Sequence, residues 1–107
     1  MLVVMLLALA APNPRALDVP RKAYSTCIRA FENKSLEAKM DPAAYATALK
    51  ASCTAEAAAL ARALTEYDIA MGSKRAAAMA TAESDVADYR LTSEERFRDM
   101  ITVAKGN

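Results

Sequence analysis

The chain has 107 residues, with fourteen basic and thirteen acidic side chains, no His and no Trp, and a formal net charge of +1. One domain at most fits that length, and the charge balance excludes both a strongly basic nucleic-acid binder and an acidic solvating tail. Alanine makes up roughly a quarter of the chain, far above ordinary usage; with only two Gly and four Pro to punctuate turns, an all-β fold is excluded and an all-α fold is expected.

Residues 2–11 are uncharged and apolar, and Pro12-Asn13-Pro14 cannot continue a helix. At 1.5 Å per residue the run spans about 15 Å, half the hydrocarbon thickness of a bilayer and too short for a membrane anchor. Its length matches the apolar region of a secretory signal, and Ala8-Leu9-Ala10 ahead of Ala11 supplies the small-x-small pattern of a cleavage site, although the basic flank of such signals is not seen before the run. The expected organisation is a signal over 1–10 cleaved between Ala10 and Ala11, a mobile lead over 11–17, and a single helical domain over 18–107.

Asp18 is placed to cap a first helix, with Pro20 in its first turn. Tyr24, Cys27, Ile28 and Phe31 then fall at i, i+3, i+4 and i+7, one apolar face, while Arg21, Lys22, Arg29 and Glu32 lie mostly off it. Asp41-Pro42 is the clearest helix start in the chain, an N-cap carboxylate followed by Pro at the first helical position. From there Tyr45, Leu49, Cys53, Ala57, Leu60, Leu64, Tyr67 and Met71 recur at steps of three or four, predicting one long second helix. Gly72-Ser73 predicts a break, a C-terminal glycine followed by a new N-cap. A thin stripe of Met79, Ala82, Val86 and Tyr89 follows, and Thr92-Ser93-Glu94-Glu95 reads as a capping box that opens a short last helix carrying Phe97, Met100, Ile101 and Ala104.

Two Cys in an exported chain without His are better suited to bonding each other than to binding metal or acting as nucleophiles. Cys53 lies about 16 Å beyond the helix start at Pro42, so a Cys27–Cys53 bridge between antiparallel helices predicts either that the first helix extends towards Glu37 or Ala38 or that the connection is itself compact. The expected architecture is a helical hairpin stapled by this bond and extended by one or two further helices, three or four in all.

Catalysis finds few candidates. There is no His for acid–base work, two separated Cys cannot close a tetrahedral metal site, no GxSxG or SxxK context activates a serine, and the two glycines make no phosphate loop. The expectation is a non-enzyme without cofactor or metal. Asp85 and Asp88 share a helix face, as a solvated charged surface would. Tyr24, Tyr45, Tyr67 and Tyr89 recur at intervals of 21 to 22 residues on the apolar stripes, and with Phe31 and Phe97 they are the candidate core or interaction aromatics. Helices faced with Ala bury little apolar area, so the chain is suited to a partner, either an envelope protein or a second copy of itself; a membrane surface is a further candidate.

Tyr24-Ser25-Thr26-Cys27 followed by Leu49-Lys50-Ala51-Ser52-Cys53-Thr54-Ala55-Glu56 resembles small, alanine-rich, two-cysteine exported helical proteins of Gram-negative bacteria. The resemblance covers about residues 20–65 and implies an envelope location and a helical hairpin, with no catalytic residue. In size, helicity and its two cysteines the chain is also loosely similar to periplasmic acid-stress chaperones. The functional expectation is a small periplasmic or secreted protein with one structural disulfide that acts by protein–protein contact, the alternatives being a periplasmic stress chaperone or a membrane-surface helical protein.

Overall fold

A computed structural model describes residues 12–106; the expected signal and its Ala10–Ala11 cleavage site lie outside them. Four α-helices follow a 3-10 turn at Pro14–Leu17: α1 Asp18–Glu37, α2 Pro42–Ala51, α3 Thr54–Ala70 and α4 Arg75–Gly106. The fold is all-α, and the disulfide joins α1 to the junction of α2 and α3. No helix of the described residues is long and apolar enough to cross a membrane.

The folded unit begins earlier than residue 18. Asn13 accepts the Arg15 amide through its side chain and starts the 3-10 turn, and Leu17 at the turn's end is only 4% exposed. Asp18 is therefore the first residue of α1 and not its cap, and the segment read as a mobile lead contributes to the core. Near its other end α1 reaches Glu37, the longer of the two expected arrangements, and closes where the Met40 amide donates to the Ser35 carbonyl, with Lys39 at a φ of 55°.

Asp41 caps α2 as expected, accepting the Ala43 and Ala44 amides at 3.1 and 3.3 Å. The long second helix is in fact two. Ser52 is extended and Cys53 takes a left-handed φ of 57°, so the chain breaks between α2 and α3 although no Gly, Pro or Asn stands there. α3 ends at a conventional glycine cap: Gly72 has a φ of 109°, and the Ser73 amide donates back to the Asp68 carbonyl. That amide closes α3, and α4 starts two residues later.

α4 is the spine of the molecule, about 48 Å long at 1.5 Å per residue. It does not break at Thr92-Ser93-Glu94-Glu95; the expected last helix is its continuation. Ala78, Ala82, Val86, Ser93 and Phe97 are its buried residues, a single line at helical spacing. α3 packs along the first part of that line and α2 along the last, with α1 laid against α3 and α4. The core is Leu17, Tyr24, Ile28, Tyr45, Leu49, Leu60, Leu64, Ala82, Val86 and Phe97.

Candidate functional site

The buried residues of α1 are Tyr24, Ile28, Glu32 and Ser35, so the i, i+4, i+8 line that begins at Tyr24 runs straight through Glu32. The carboxylate read as lying off the apolar face is 1% exposed. Its burial is made tolerable from α4. Arg96 Nε donates to Oε1 at 2.9 Å and to Oε2 at 3.1 Å, and Nη2 donates to Oε2 at 2.8 Å, a fork-on-carboxylate pair. Ser93 Oγ donates to Oε2 at 2.8 Å. Since its one hydrogen is committed there, Ser93 accepts from the Tyr45 hydroxyl at 2.6 Å. A chain of donors thus runs from α2 through α4 to α1. Arg29 adds a second guanidinium 3.7 Å from Oε1, on the solvent side.

Burial pushes the Glu32 carboxyl up, but the hydrogen bonds from Arg96 and Ser93 and the charges of Arg96 and Arg29 outweigh it, holding it below the usual carboxylate range. Burial pushes the Tyr45 phenol up, with the Glu32 charge adding to the rise, so it stays neutral as a donor. The bond to Glu32 raises Arg96 further above its ordinary value. At neutral pH the network is one carboxylate, the Arg96 guanidinium with Arg29 on its solvent side, and two neutral hydroxyls. It fixes helices and has no proton to exchange there.

Sequence reasoning missed Glu32, Ser93 and Arg96. The signal is present for two of them, since Glu32 lies on the Tyr24–Ile28 line and Ser93 on the Val86–Phe97 line, but the charge of the one and the capping-box pattern around the other mask it.

The predicted aromatics fall into two groups. Tyr45 lies flat against Phe97, ring centroids 4.0 Å apart and planes within 5°, and Phe31 also stacks with Tyr45, centroids 5.6 Å apart. Tyr24 meets Tyr89 at 5.5 Å, tilted. Tyr67 packs half-buried at the edge of the core and joins neither group. The Tyr repeat is thus a packing pattern for Tyr24 and Tyr45, with Tyr89 partly open to a groove.

That groove lies between α1 and α4, about 430 Å³ in volume, lined by Ser25, Ile28 and Arg29 on one side and Asp88, Tyr89, Thr92 and Arg96 on the other. Thr92 and Arg96 also border a second depression of about 540 Å³, which continues along α4 past Asp99 and Met100 to Val103. Val103 is 63% exposed. The two meet at Thr92 and Arg96 and form one open track along α4, with Glu32 buried beneath Arg96 and outside the lining of either.

Cys27 and Cys53 are bonded, with an S–S distance of 2.04 Å and Cα atoms 5.9 Å apart. The Glu56 carboxylate lies within 4.8 Å of both sulfurs, but with the sulfurs spent on each other the cluster lacks the thiolates that a metal would need. No protein-family model matches this chain, and neither a curated protein nor a solved structure does.

Proposed function

We propose that this is a small exported helical protein of the bacterial envelope, held by one structural disulfide, which works as a binding module and not as a catalyst. The observation that carries the reading is the α1–α4 track: an open, mixed apolar and charged surface along which Arg96 is held in place by the buried Glu32, itself tied through Ser93 to Tyr45. Such a surface, open and extended along one helix, suits a protein segment better than a small molecule, most of whose area a site must enclose. The bonded cysteines support a non-reducing compartment, and the apolar run over residues 2–11 supports export.

Two measurements test it. Expressed with its own N-terminus in a Gram-negative host, the chain should be recovered from the periplasm with a mature start at Ala11; recovery at full mass from the cytosol would overturn export. Thr92→Trp, which fills the track, and Val103→Asp, which charges its end, should each abolish cross-linking to whatever envelope protein the wild type captures, at an unchanged urea midpoint. Equal cross-linking by both variants would remove the track as the binding surface.

A second reading is a stress chaperone or membrane-surface protein, to which the exposed Val19, Met71, Met79, Leu91 and Val103 would each lend an apolar contact. Suppression of client aggregation confined to acid pH would move the assignment to the chaperone, and co-flotation with liposomes to the membrane.

A further inference from the structure

We propose that the Cys27–Cys53 bond is a latch on a bent helix, and that its reduction lets α2 and α3 fuse into one helix from Pro42 to Ala70. The break at Ser52–Cys53 has little local cause in the sequence: the Ser52 hydroxyl donates to the Ala48 carbonyl at 2.8 Å, a bond that bends a helix without ending it. Lys50-Ala51-Ser52-Cys53-Thr54-Ala55-Glu56 contains neither Gly nor Pro, yet Cys53 stands at a φ of 57°, a conformation that glycine takes freely and an L side chain does not. Cys53 offers α3 no side-chain cap, and the first backbone bond of α3 runs from the Ala57 amide to the Cys53 carbonyl. The amides of Thr54, Ala55 and Glu56 are therefore the free end of a helix. At i−4 from them stand Lys50, Ala51 and Ser52, whose carbonyls are the free end of α2. A straight helix joins these two open ends by three backbone hydrogen bonds and returns Cys53 to the right-handed region.

Straightening is compatible with the rest of the fold. Tyr45, Leu49, Cys53, Ala57, Leu60 and Leu64 fall on one helical stripe, and α4 presents Ala78, Ala82, Val86, Ser93 and Phe97 to receive it, with Tyr89 and Arg90 half-buried between Val86 and Ser93. The fused helix would be about 44 Å long, close to the 48 Å of α4. The chemistry is a thiol–disulfide exchange: a dithiol reductant breaks the Sγ–Sγ bond, two electrons and two protons pass to the sulfurs of Cys27 and Cys53, and the reductant closes its own disulfide.

Amide hydrogen exchange on the full chain, oxidised and after reduction by dithiothreitol, tests the proposal. Reduction should raise the protection of the Thr54, Ala55 and Glu56 amides by at least about tenfold while α4 stays protected. The Cys27→Ala, Cys53→Ala variant should behave as the reduced chain. Cys27→Ala with Cys53→Gly, which makes the left-handed conformation free again, should keep these amides within about twofold of the oxidised protein. Unchanged or lower protection at the three amides on reduction would overturn the proposal, as would loss of protection throughout α4, because the bond would then only hold the fold together.

Discussion

Arg96 and Glu32 show how much a single buried charge commits its neighbours. Glu32 is 1% exposed and Arg96 is 31% exposed, so removing the arginine leaves a carboxylate in the core with only Ser93 and the more distant Arg29 to answer it. Arg96→Met should destabilise the protein by about 3 kcal/mol, whereas Arg96→Met combined with Glu32→Met should fall within about 1.5 kcal/mol of wild type, since replacing both charges removes the desolvation cost along with the attraction. Urea denaturation of the two variants checks this, and a double variant as unstable as the single one would show that the pair itself contributes the stability. At this scale the sequence was half legible. Asp41 and the two cysteines announce themselves through local rules, a cap before proline and a lone pair of thiols. Glu32 does not, because its burial depends on Arg96, sixty-four residues away, and no local pattern carries that information.

Elements were read well where a local signal ends a helix and poorly where tertiary contacts decide. Gly72 ends α3 by a conformation glycine alone adopts easily. At Thr92-Ser93-Glu94-Glu95 the capping-box pattern is present, but Ser93 is completely buried between Tyr45 and Glu32 and the adjacent turn carries Phe97 into the core, so continuing the helix satisfies more groups than stopping it. The reverse holds at Ser52–Cys53, where the periodicity runs on and the backbone does not. The caps can be told apart by substitution. Asp41→Ala removes a real cap and should cost about 1 kcal/mol, while Thr92→Ala, in mid-helix and exposed, should change stability by less than about 0.5 kcal/mol. Thermal melts of both variants decide it, and a Thr92→Ala cost matching that of Asp41→Ala would mean a helix end exists in solution at Thr92.

For the whole molecule, one network sets both pH limits of stability. Because the folded pKa of Glu32 lies below its ordinary value, its contribution is complete above the unfolded carboxylate pKa of about 4.3 and is lost as the pH falls through the lower folded value. Tyr45 works in the other direction: its folded pKa lies above its ordinary value, so its contribution is complete below about pH 10 and is lost as the pH rises beyond that. The urea midpoint should therefore be flat between about pH 5 and 9.5 and fall on either side. Glu32→Gln should lower the plateau and flatten the acid limb, so that the two proteins converge at the acid end; Tyr45→Phe should blunt the alkaline limb alone. The same argument bears on the choice of function. Mild acid leaves Glu32 ionised and the three helices tied, so a chaperone released through this network acts only below the ordinary carboxylate range; client protection already present at pH 5.5, with Glu32→Gln indistinguishable from wild type, would show that opening proceeds through some other part of the molecule.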